Sequence, residues 1–110
     1  MSTTQTIERT TLTHLIYNED YCRKVIPFIK PIYYADRQER VVFEEIEKFL
    51  DKYNTLPTKE TLTIGVDNRK DINDEDYKKI VEIISSLDKT EVDLQWLHDE
   101  TEKFCKDKAI

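Results

Sequence analysis

Apolar side chains recur along this chain at three- and four-residue intervals, with charged residues filling the gaps, from residue 7 onward. That is the period of helices with one face turned inward. Residues 7–17 predict a first helix, with Leu12, Leu15 and Ile16 on one stripe and Ile7 on a neighbouring row. Asn18 is placed to cap a second helix, whose acidic first turn, Glu19 and Asp20, suits the positive end of a helix dipole. Its stripe is Tyr21, Cys22, Val25, Ile26 and Ile29, and Pro27 and Pro31 end it because proline lacks the amide donor. The longest helix, residues 36–53, carries Val42, Ile46, Phe49, Leu50 and Tyr53 inward and Glu44, Glu45, Glu47 and Lys48 outward. After a turn at 54–57, Thr58 caps a short helix to about Val66, which Gly65 weakens or ends. Asn73 with Asp76 signals the fifth helix, with Ile72 and Tyr77 as a hydrophobic staple and Tyr77, Ile80, Val81, Ile84 and Leu87 as its stripe. Thr90 with Asp93 opens the sixth, with Leu97, Thr101, Phe104 and Cys105 facing in and Trp96 beside them. The pattern therefore predicts an all-α fold: a compact orthogonal bundle of about six helices, without strands. Residues 1–6 read as a flexible start, residues 7–110 as one domain, and the last helix as cut short at Ile110.

Composition narrows the functions. The chain has 110 residues, enough for one domain with a modest core. Charged residues make up 36%, but the regular apolar stripes argue against disorder. A net charge of −6 makes a poor stand-alone nucleic-acid binder, because such binding draws on lysines and arginines that displace counterions. No apolar run approaches the ~20 residues of a membrane span, so no membrane partner is expected, and the polar start lacks a signal-peptide core. Cys22 and Cys105 form no CxxC pair and read as reduced thiols of a reducing compartment. The chain has one glycine, Gly65, which excludes glycine-rich phosphate cradles.

Candidate chemistry is sparse. Counted from Asp71, oxygens at the first, third, fifth and twelfth positions mimic a calcium loop, but Asp76 stands where that loop requires glycine. His14 and His98 have no partner at zinc-ligand spacing and read as partly exposed helix residues. Cys105 and His98 fall roughly on one helix face, a formal nucleophile pair with nothing to orient or activate it. Glu44, Glu45 and Glu47 read as a solvated face rather than as acid–base carboxylates. Arg23, Lys24, Arg37 and Arg40 have acids around them and read as surface pairs. No catalytic, cofactor-binding or metal-binding residue is expected. Tyr33, Tyr34, Phe43 and Trp96 fall off the inward stripes. They mark either a candidate interface with another chain or a core wider than the stripes imply.

The order of these segments carries a resemblance. The runs LTHLIYNEDYCRKVIPFI and YYADRQERVVFEEIEKFLDKYNTLPTKETL, and the end WLHDETEKFCKDKAI, resemble the N-terminal domain of DnaB-type replicative DNA helicases, in particular the primase–helicase proteins of T-even-like bacteriophages. The match is carried by Leu15 and Ile16 before Asn18, Tyr21 with Val25, Phe43, Pro57, and Trp96–Leu97 with Glu100 to Lys103. The resemblance implies a helical head that helps to form the collar of a hexameric ring and on which primase is organised. It implies a parent motor that uses ATP and Mg²⁺ to move on single-stranded DNA in the cytoplasm of an infected bacterium. The P-loop lysine, the Mg²⁺ carboxylate and the arginine finger of such a motor are missing from these residues, so the fragment is expected to be no enzyme. A last helix ending at Ile110 would fit the start of the helical hairpin through which such heads pair. Two other classes stay open: a stand-alone helical protein–protein adaptor, and a small enzyme built on Cys105 and His98.

Overall fold

Every α-helix begins on a side-chain cap. The computed structural model describes residues 6–109. Six α-helices run in chain order: α1 Ile7–Tyr17, α2 Glu19–Val25, α3 Arg37–Tyr53, α4 Lys59–Asp67, α5 Asp74–Ser85 and α6 Leu94–Lys108. Two 3₁₀ turns, Ile26–Phe28 and Pro31–Tyr33, join α2 to α3. Oxygens of Thr6, Asn18, Asp36, Thr58, Asn73 and Asp93 accept the first free amides of the six helices in turn. Each such cap is worth about 1 kcal/mol. The all-α expectation holds, with no strand among the described residues. Of the start expected to be flexible, residues 1–5 lie outside the described residues, and Thr6 caps α1.

Proline sets the break after α2. Pro27 and Pro31 each sit in the first turn of a 3₁₀ segment, where a missing amide costs little. α3 ends at Asn54 in the left-handed conformation, φ 54°. Arg23 of α2 donates to both the side-chain and the backbone oxygen of Asn54, at 3.1 and 3.0 Å, and so ties that end to α2.

α3 is the central strut. It packs against α1, α4, α5 and the second 3₁₀ turn, while α6 lies on α1. A helix covered on several sides needs a broad apolar surface, which explains why Val41, Val42, Phe43 and Ile46 are all buried. The single inward stripe expected for α3 is corrected at its far end, where Phe49 and Leu50 are only half-buried and Tyr53 is exposed. Leu12, Leu15, Leu62, Val66, Ile80, Ile84, Leu87 and Leu97 close the rest of the core. Its radius of gyration, 13.4 Å, is that of a compact domain of this length.

Two local expectations change. α6 starts after Asp93, not at Thr90, because the Asp93 carboxylate accepts the Trp96 amide at 2.9 Å. Gly65 does not end α4, which continues to Asp67.

Candidate functional site

The off-stripe aromatics divide. Tyr33, Tyr34 and Phe43 are buried. Tyr34 packs on Phe43 and Phe104, with centroids 5.2 and 5.6 Å apart, and Tyr33 meets Phe104 edge-on at 6.3 Å. The Tyr34 hydroxyl shares a 2.8 Å hydrogen bond with Thr11. These three rings seal the proline-framed linker against α3 and α6, so the interface reading is corrected to the wide-core reading for them. Trp96 differs: it is 47% exposed on the first turn of α6, beside Leu94, 52% exposed.

The arginines are all bonded within the fold, whereas most of the lysines have no carboxylate within ion-pair distance among the described residues. Glu45, expected on the outer face, is buried, and Arg69 donates to it at 2.9 Å. The same guanidinium bonds Glu44 at 3.0 Å and Asp71 at 2.8 and 2.9 Å. It thereby ties the loop after α4 to α3, and it pulls the Asp71 carboxyl down to about 2. Glu47 is pushed above the ordinary carboxylate range by partial burial and by Glu44 and Asp51 nearby. Arg37 bonds Asp76 and the Asp71 carbonyl, and Arg40 bonds the Tyr34 carbonyl. Glu39 is buried against Arg9, which also reaches Ser86. Two of the four side chains that mimicked a calcium loop serve such contacts: Asp71 holds Arg69, and Asn73 accepts the Asp76 amide.

The histidines and thiols separate as well. His14, expected to be partly exposed, is buried edge-on to Tyr21, and its Nε2 has no hydrogen-bond partner. Burial lowers its pKa. His98 is half-buried and shares with Cys105 the wall of a groove of about 440 Å³, beside exposed Phe28. No hydrogen bond joins His98 to Cys105 among the described residues, and burial pushes the Cys105 thiol up rather than down. An activated nucleophile needs the opposite shift. Buried Cys22 is raised further, to about 11.

The one glycine lies inside α4 with the Glu45 carboxylate against it, where a phosphate would meet like charge. Among the described residues no group of three or more His, Cys, Asp or Glu is arranged to hold a metal ion, and no helix is long and apolar enough to cross a membrane.

Sequence reasoning missed Arg69 and the role of Gly65. No periodic signal links residue 69 to a glutamate two dozen positions upstream. A Cβ at Gly65 would run into the Glu45 carboxylate, so the glycine makes room for the buried pair.

Fold and site together define a small all-helical scaffold with engaged arginines, exposed apolar side chains and a polar groove of about 850 Å³ lined by Arg23, Glu44, Glu47, Lys48, Asp51 and Asn54. No protein-family model matches the chain. Over 99 residues, 90% of its length, the chain is 27% identical to the DnaB-like replicative helicase of Enterobacteria phage T4. The resemblance drawn from the order of segments is met by this similarity. The match takes in 21% of that relative, so the chain spans about a fifth of its length.

Proposed function

We propose that this chain is the helical head domain of a phage replicative DNA helicase, acting in ring assembly and partner docking and not in catalysis. The carrying observation is the similarity to a replicative helicase along 90% of the chain. The fold is consistent with that role. Its arginines are committed to internal bonds, and its net charge of −6 disfavours strong direct contact with DNA. In this reading the head contributes to a hexamer collar and meets primase. The motor, with its ATP, Mg²⁺ and single-stranded DNA, is supplied by other parts of the protein in the infected host's cytoplasm.

Trp96 with Leu94 is the contact point proposed for assembly, since two large apolar side chains exposed at one helix start gain by being covered. Trp96 is the single tryptophan, so its emission reports on this spot alone. The isolated chain is expected to emit as a largely wetted indole and to hydrolyse no nucleotide. In the assembled full protein the emission is expected to move to shorter wavelength. Unchanged emission on assembly removes Trp96 from the interface, and appreciable hydrolysis by the purified chain ends the non-catalytic reading.

A further inference from the structure

We propose that the groove between α3 and α4 is a docking site for an acidic, amphipathic segment of a partner protein, anchored by a bulky apolar side chain. This inference rests on the groove itself and stands whether or not the helicase reading holds.

The groove has a volume of about 410 Å³. One apolar wall is the Phe49–Tyr53 pair, with ring centroids 4.7 Å apart, and the other is Ile64. Tyr53 is 56% and Ile64 58% exposed, so α3 and α4 each turn a large apolar group outward toward the same depression. Gly65 lies in the same wall, with the Glu45 carboxylate against it. In a chain whose other large side chains are mostly buried, two such groups sharing one groove are an unpartnered apolar surface.

Charge selects the occupant. The rim carries Lys48 and Lys52, one helical turn apart. Lys52 has no carboxylate within ion-pair distance among the described residues, and its ammonium lies 5.3 Å from the Tyr53 ring centroid. Lys48 reaches only Glu45, at 3.8 Å, and Glu45 is already held by Arg69 at 2.9 Å. On a chain of net charge −6, this groove therefore sets two cations against one lining carboxylate, Glu45, which Arg69 already holds. A segment with carboxylates flanking a Leu or Phe would pair with the lysines and place its apolar side chain between Tyr53 and Ile64. Single-stranded nucleic acid is the less suitable occupant. Two lysines release few counterions, Lys52 already occupies one aromatic ring, and an aliphatic wall offers no flat surface for a base.

The test is a titration of the isotope-labelled chain, followed by amide NMR shifts, with three probes. The first is a helical peptide bearing Glu and Asp around Leu and Phe at i, i+3, i+4 and i+7. The second is its charge-reversed twin with Lys for the acids, and the third is an oligothymidylate. The acidic peptide is expected to bind saturably, with shifts centred on Lys48, Lys52, Tyr53 and Ile64. The double variant Lys48→Glu, Lys52→Glu should weaken it about tenfold or more, and Ile64→Asp similarly. These residues are exposed or half-exposed, and an unchanged far-ultraviolet circular dichroism spectrum verifies that each variant folds. Equal binding of the charge-reversed peptide, shifts centred elsewhere, no saturable binding, or preferential binding of the oligothymidylate each overturns the proposal.

Discussion

Arg69 holds a buried carboxylate that nothing else in the fold neutralises as closely. Its bonds to Glu45, Glu44 and Asp71 gather charges from α3 and the loop after α4 into one cluster. Removing the cation leaves Glu45 buried with only Lys48 at 3.8 Å. Arg69→Ala is therefore expected to cost about 3 kcal/mol in urea unfolding, against about 0.5 kcal/mol for breaking the exposed Arg23–Glu19 pair by Glu19→Ala. Equal losses would show that burial is not what makes the Arg69 cluster matter. Gly65 belongs to the same account. Alanine there improves helix propensity by about 1 kcal/mol but displaces the Glu45 carboxylate from its position. Gly65→Ala should therefore gain less stability in the natural chain than in one that already carries Glu45→Ala. An equal change in both backgrounds would contradict the steric explanation. His14 adds a dependence on pH. Burial holds its pKa below the ordinary value of 6.5. Above that value neither the folded nor the unfolded chain carries the proton. As pH falls through it, the unfolded chain takes up a proton that the folded one excludes, so stability declines until folded His14 protonates in turn. His14→Leu should flatten this part of the profile as pH falls through about 6.5, read from urea midpoints; parallel profiles would exclude His14 as the source.

Helix starts were the most legible elements because a cap is a local device. Asn18, Thr58 and Asn73 are recognisable beside the stripes they open, and the structure uses all three. At the start of α6 the sequence offers Thr90 and Asp93 three residues apart, and local chemistry alone favours neither. The fold selects Asp93, so Asp93→Ala should cost about 1 kcal/mol and Thr90→Ala nearly nothing; the reverse order would place the helix start at 90. The inward face of α3 was only half legible. A stripe is a one-sided signal, whereas α3 is covered by α1 as well as by α4 and α5. The burial of Tyr34, Phe43 and Glu45 follows from that covering, and no spacing within residues 34–45 encodes it. For the same reason the α3–α4 groove was illegible: it exists only where the end of α3 runs beyond the core and meets Gly65.

The whole molecule is an acidic scaffold whose arginines are spent on holding its own helices and whose exposed apolar groups lie at separate places. Trp96 and Leu94 mark the start of α6, Tyr53 and Ile64 flank the α3–α4 groove, and Phe28 and Ile32 stand on the 3₁₀ turns between α2 and α3. Several such exposed places on one small bundle suit the proposed part that joins neighbours, and the similarity to a phage replicative helicase gives that proposal a setting. The most direct measurement is sedimentation velocity on the protein encoded by the full reading frame, with and without the residues of this chain. The account predicts a ring-sized species when the head is present and smaller species when it is removed. A ring that forms equally well without the head, or a reading frame that ends at Ile110 with no motor to assemble, would contradict it.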